Sequence, residues 1–197
     1  GIRNRINNVL KRETVINDLP VQVIKNVFIP SFTDTCINSS GESFKILIIG
    51  NSLSYHRIAK EIGWSHISGM AATSKEKDYV HLLLRKIKNR FPNKHICLRI
   101  SNFAVFERNP ALFEQKSIDS LVYYQPDLVI FQLGENVRVQ NQNDEILFEE
   151  KYTELIRSFK IKGNPTTICT TPFFPSLKKN KIVENVALLT NSYLVDL

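Results

Sequence analysis

Short apolar runs recur along this chain at intervals that leave room for one helix between successive runs, and that alternation constrains the fold more than any other feature. Lys45 to Ile49 (KILII) is a continuous apolar run closed by Gly50, the pattern of a strand buried on both faces. His95 to Ile100 (HICLRI), Asp127 to Leu133 (DLVIFQL), Thr166 to Thr171 and Tyr193 to Leu197 (YLVDL) also read as strands. Between them the period changes. Tyr79, Val80, Leu83, Leu84, Ile87 and Phe91 recur at helical spacing behind a capping-box pattern, Thr73-Ser74-Lys75-Glu76, and stop at Pro92. Ser117 to Tyr124 reads as a short helix closed off by Pro126. Phe148, Tyr152, Leu155, Ile156 and Phe159 stripe a helix that Gly163 should end, and Lys181 to Leu189 reads as a further helix. Strands alternating with helices require right-handed crossovers, so the expected class is α/β: a three-layer α/β/α sandwich with a central parallel sheet.

With 197 residues the chain has room for one main core. Residues 1–43 carry few periodic apolar positions and read as an amino-terminal arm or the end of a preceding module, and residues 44–197 as the domain. Within the arm, residues 21–29 (VQVIKNVFI) read as an added strand. Asn38-Ser39-Ser40 is formally a glycosylation triplet, a pattern that mostly arises by chance. At 43% hydrophobic and 23% charged residues the composition is globular, which excludes wholesale disorder. No apolar run has the length of a bilayer span, so no membrane span is expected.

Lys and Arg number 26 against 19 Asp and Glu, a net charge of +7. The cations are scattered, and Arg85, Lys86, Lys88 and Arg90 fall on the wet side of a helix; without a zinc-finger, RNP or basic-zipper pattern, nucleic acid is not an expected partner. Cys36, Cys97 and Cys169 form neither a C-x-x-C nor a dense framework, and Cys97 and Cys169 lie in strand-like runs, so they read as small buried hydrophobes. His56, His66, His81 and His95 match no compact zinc spacing, and no metal is expected.

In an open α/β sheet, ligands bind beyond the carboxyl ends of the strands. Two segments there carry chemistry: Gly50-Asn51-Ser52-Leu53-Ser54 and Gly134-Glu135-Asn136-Val137. A glycine lets the chain turn at the strand end, and the serine behind it reads equally as a nucleophile or as the cap of the next helix. His56 would share the face of Ser52 if that turn were helical. Glu107 and Glu135 fall on the same edge, where one would orient Asn136 or contact substrate; the alternative is a solvated carboxylate. Asp78 and His81, one helical turn apart, read as structural.

Together the two segments resemble the first and third conserved blocks of the SGNH (GDSL-like) hydrolases. Ile49 to His56, Ile62-Gly63-Trp64, Gly69-Met70-Ala71-Ala72 and Lys77 to Leu83 further resemble a bacterial, Bacteroidetes-type subgroup of carbohydrate-ester hydrolases, over roughly residues 44–197. The resemblance implies a flavodoxin-like fold, Ser52 as the nucleophile, Asn136 as an oxyanion donor and an acyl-serine intermediate without metal or organic cofactor. It places Asn51, His56, Ala104, Glu107 and Glu135 around a small-molecule or carbohydrate ester. It also implies a secreted or periplasmic location, with Gly1 leaving room for a removed export signal; a cytoplasmic location is the alternative.

Two departures qualify the resemblance. Many family members have a glycine after the second strand whose N–H completes the oxyanion hole; here that loop reads Ser101 to Glu107, with Ala104 or a neighbour as the expected donor. The family's Asp-x-x-His, which supplies the base, is missing, because Asp196 is followed only by Leu197; the domain is expected to be incomplete at its carboxyl end and turnover weak or absent. The alternatives are a non-catalytic glycan-binding module that retains the crevice and, against the lack of a glycine-rich phosphate loop, a flavodoxin-shaped nucleotide binder.

Overall fold

The computed structural model of the chain describes residues 31–37 and 42–197. The strand expected at 21–29 and the triplet at 38–40 lie outside the described residues. Six strands form one sheet: β1 (Ser31–Ile37), β2 (Ser43–Gly50), β3 (His95–Asn102), β4 (Leu128–Gln132), β5 (Thr166–Thr170) and β6 (Tyr193–Val195). Their order across the sheet is β1-β3-β2-β4-β5-β6. All neighbours are parallel except β1, which runs antiparallel to β3. Among the described residues five α-helices connect or follow them: α1 (Tyr79–Arg90), α2 (Ala104–Arg108), α3 (Asp119–Val122), α4 (Gln142–Gly163) and α5 (Leu177–Leu189). The fold is thus mixed α/β, as the alternation of apolar runs requires. No helix among the described residues is long and apolar enough to cross a membrane.

The reason Ile46 to Ile49 is apolar throughout is visible in the packing. Ile46 and Ile48 point to one side, into a cluster with Val80 and Leu84 of α1, while Leu47 and Ile49 point to the other. There they meet Phe148, Tyr152, Leu155, Ile156 and Phe159 of α4 and Ile182, Val183 and Val186 of α5. Burial on both faces leaves no position for a polar alternate.

Three helical expectations change in detail. The Thr73 to Glu76 pattern does not cap α1: Ser74 makes no side-chain cap hydrogen bond before a single 3-10 turn, Lys75–Lys77. Asp78 caps instead, its Oδ1 accepting from His81 N at 2.8 Å. Ser117 to Tyr124 splits into a 3-10 turn, Gln115–Ile118, and the four-residue α3. Gly163 is the last residue of α4, and Asn164 takes the left-handed conformation behind it, at φ 45. Helix α2, between Phe103 and Asn109, falls where a loop was expected.

The larger corrections concern the arm and the cysteines. Residues 31–37 of the arm form an edge strand, in register from Ser31 opposite Asn102 to Ile37 opposite Ile96. Cys97 is not a free buried thiol: it is bonded to Cys36 directly across the strands, 61 residues away in sequence. A cross-strand partner at that separation leaves no trace in cysteine spacing. Among the described residues only Cys169 stays a buried free thiol. Arg99 adds a second fastening, donating to both carboxylate oxygens of Asp34 at 2.7 Å while its guanidinium lies 4.2 Å from the ring centroids of Phe32 and Tyr124.

Candidate active site

The sheet order places the candidate residues. From β2 the chain crosses to β3 on one side, and after β3 it returns to β4 on the other. The exits of β2 and β4, neighbouring parallel strands, therefore diverge at their carboxyl ends, the place where ligands generally bind in open α/β sheets. Ser52 follows β2 and Asn136 follows β4.

The β2 exit is a turn and not the start of a helix, which removes the cap reading of Ser52. Ser54 N and Tyr55 N both donate to Asn51 O at 3.1 Å, and Leu53 N donates to Asn51 Oδ1 at 3.0 Å. Gly50 is required by close approach, since a Cβ there would fall 1.9 Å from Ser54 Oγ. Ser54 is buried, its hydroxyl sharing a hydrogen with Tyr79 OH at 2.6 Å and donating to Gln132 Oε1 at 3.2 Å. Ser52 is half-buried, and its hydroxyl makes no hydrogen bond to a described residue.

The β4 exit turns at Gly134, whose φ of 131 suits glycine and whose absent Cβ would lie 2.6 Å from Pro172 Cγ. Besides Gln132, which bonds to both Ser54 and Glu135, a buried carboxylate joins the two exits. Glu107, on α2 and fully buried, accepts from Asn51 Nδ2 at 3.2 Å, Gly134 N at 2.6 Å and Asn136 Nδ2 at 2.5 Å. Burial raises its carboxyl above the ordinary value, against the opposing pull of these donors. Glu107 is thus neither solvated nor open to a ligand; it positions the asparagines on either side of the crevice.

The other expected residues are engaged differently. Glu135 does not orient Asn136: its carboxylate accepts from the backbone N–H groups of Phe173 and Phe174 and from Gln132 Nε2. Lys179 Nζ donates to its carbonyl at 3.0 Å. The Ala104 N–H donates to Asn102 Oδ1 at 2.9 Å, so that backbone hydrogen is already used. The i,i+4 relation of His56 to Ser52 does not arise without a helix; His56 pairs with Ser68 in an isolated bridge, its Nδ1 2.6 Å from Arg57 O. Among the described residues no histidine bonds to Ser52: His66 contacts Ser65, His81 contacts Asp78 and His95 lies beside Cys97. Asp196 accepts from Thr171 Oγ1 at 2.9 Å.

Asp78 does more than pair with His81. It is 1% exposed, and its Oδ2 accepts from Gly69 N at 3.1 Å, while Met70 N donates to Ser52 O at 2.8 Å. A Cβ on Gly69 would fall 2.0 Å from Leu53 O. The segments 69–72 and 77–83 that carry the resemblance therefore buttress the Ser52 turn from below. Burial would raise the Asp78 carboxyl, but the imidazole and N–H of His81 and the N–H of Gly69 outweigh it and hold it below the ordinary value.

Sequence reasoning missed the loop after β5, where Phe173 and Phe174 are 58% and 61% exposed and stand edge to face between Pro172 and Pro175. Its only signal is the aromatic pair between two prolines. A separate apolar groove of about 680 Å³, lined by Phe44, Ile46, Ile87, Phe91, Ile96 and Leu128, opens at the amino ends of the strands, away from Ser52 and Asn136. No family model matches the chain, and no curated protein matches it in sequence.

Proposed function

We propose that the chain is a flavodoxin-like, SGNH-type serine ester hydrolase domain acting on acyl esters, with carbohydrate esters as the substrate class. The reading is supported above all by the Glu107 carboxylate, which ties Asn51, next to Ser52, to Asn136 across the crevice. Ser52 Oγ attacks the acyl carbon and forms an acyl-serine as the alcohol leaves. The Ser52 N–H and Asn136 Nδ2 face the developing oxyanion. Asn136 can do so because its amide carries two hydrogens and Glu107 takes one. Fixed donors of this kind are worth about 10²- to 10³-fold in rate each.

Among the described residues no histidine is bonded to Ser52 to serve as its base, so unaided turnover by residues 1–197 is expected to be weak or absent. Exogenous imidazole supplies the missing base in a direct test. Imidazole-dependent hydrolysis of a small acetyl ester, with an acetyl adduct on Ser52 by mass spectrometry, is expected for the chain and not for Ser52→Ala. Equal rates in both would sink the reading.

The alternative reading is a glycan-binding module that keeps the crevice without cleaving. It requires glycan binding that survives Ser52→Ala, and no adduct under any imidazole concentration.

A further inference from the structure

We infer that the β1–β3 edge carries a second, independent site: a zinc site formed by Cys36, Cys97 and His95 once their disulfide is reduced. The sulfur atoms of the two cysteines and a ring nitrogen of His95 all lie within 4.8 Å of one another. The strand geometry explains why. His95 and Cys97 are two residues apart on β3 and so share a face, and Cys36 is the register partner of Cys97 on β1. His95 Nε2 is 3.8 Å from Cys97 Sγ. Cys36 is exposed and His95 half-buried, which leaves an entry path from the sheet edge.

The donor set selects the metal. Two thiolates and an imidazole suit zinc rather than magnesium or calcium, and the two negative sulfurs balance the charge of Zn²⁺. Tetrahedral zinc, with bonds of about 2.3 Å to sulfur and about 2.0 Å to nitrogen, places its ligand atoms within about 4 Å of each other; His95 Nε2 and Cys97 Sγ already have that spacing, while the two sulfurs, bonded to each other in the oxidised chain, must part. Water completes the fourth position. After the bond is cut, rotation of the two cysteine side chains is required to part the sulfurs.

The chemistry balances through an external dithiol. The dithiol is oxidised to its own disulfide, and its two electrons and two protons convert Cys36–Cys97 into two thiols. Zn²⁺ then displaces both protons and stays in its +2 state. Because the metal binds only the reduced form, it opposes reoxidation by mass action. Either cross-link fastens β1 to β3, so the edge strand stays clipped in oxidising and reducing surroundings alike.

The test uses the whole chain, reduced with a phosphine that is then removed under anaerobic conditions, and titrated with Co²⁺ as a spectroscopic stand-in for zinc. One equivalent is expected to give the visible bands of tetrahedral Co²⁺ with thiolate charge transfer, and added Zn²⁺ is expected to abolish them. The oxidised chain should give none. His95→Ala keeps both cysteines, so circular dichroism of its oxidised form reports whether the fold survives; its reduced form should lose stoichiometric binding. X-ray absorption on the zinc-loaded wild-type chain, which needs no variant, should show two sulfur ligands and two lighter ones, the His95 nitrogen and the water oxygen. Absence of the bands in reduced protein, undiminished binding by folded His95→Ala, or a shell without two sulfurs would each overturn the inference.

Discussion

Replacing Glu107 by glutamine isolates what the buried carboxylate does. The substitution preserves shape but trades one acceptor oxygen for an amide. With its remaining oxygen at the Oε1 position, the variant side chain keeps the hydrogen bonds from Asn51 Nδ2 and Gly134 N. Its NH₂ then confronts Asn136 Nδ2, donor against donor, where Oε2 had accepted. One unsatisfied, partly buried donor costs about 1–3 kcal/mol. For a chain of this size that lowers Tm by roughly 2–12 °C, at about 2–4 °C per kcal/mol. Glu107→Ala strands the fully buried Asn51 and Gly134 donors as well, and should cost about 2–6 kcal/mol more on the same scale.

The pH dependence separates Glu107 from a generic packing residue. Its folded carboxyl holds a proton more tightly than the unfolded one, whose ordinary value is 4.5. Between the two values the folded state binds more protons, so this group makes stability fall as pH rises from 4.5 through the folded value, and level off above it. Urea unfolding across that range should show the decline in the wild-type chain and lack that component in Glu107→Gln. Imidazole-dependent hydrolysis by the variant should fall towards that of Asn136→Ala. An unchanged midpoint with an unchanged pH profile would refute the assignment of Glu107 as the post between the two strand exits.

Three further outcomes follow from named contacts. Asp78→Ala removes the α1 cap and strands the buried Gly69 N–H, and is expected to cost about 2–4 kcal/mol in urea unfolding. Because the Asp78 carboxyl is held below its ordinary 3.8, the stability it contributes is present above that value and lost as pH falls below it; a wild-type profile identical to the variant's in acid would contradict this. Gly134→Ala meets both a positive φ and Pro172 Cγ at 2.6 Å, so a loss of about 1–3 kcal/mol or more is expected, and a neutral effect would show that the turn relaxes freely. Cys36→Ser opens a 61-residue loop worth about 4 kcal/mol in the chain-entropy account, and should match the metal-free reduced wild-type chain in thermal unfolding.

What can be read in advance and what cannot divide along a physical line. The apolar residues at the heart of KILII, HICLRI and DLVIFQL declare their strands because burial demands apolar side chains whatever the partner. Ser31–Ile37 does not, because its alternate residues Phe32, Asp34 and Cys36 owe their places to Arg99 and Cys97, more than 60 positions away. The cap of α1 is misplaced by its local pattern for the same reason. Thr73 to Glu76 has the spacing, but Asp78 wins because it also holds Gly69, which a local pattern cannot register.

The candidate site repeats the division. Gly50 and Gly134 are legible because a strand exit this crowded has no room for a Cβ, whereas Ser52 and Asn136 stand out only through the resemblance of their segments to the SGNH blocks. Their support is not legible, since Glu107 reaches Asn51 across 56 positions and Asn136 across 29. A carboxylate this dry is costly to ionise, and it would be replaced by an apolar side chain if packing were its only role. Its three donors come from the two strand exits, so the charge is placed where it restricts the motion of Asn51 and Asn136 together. In the proposed reaction, donors restricted in advance are what oxyanion stabilisation would require, because a donor that must reorganise during the reaction gives back much of what it contributes. The cost of burying Glu107 is therefore best understood as serving the rigidity of the crevice.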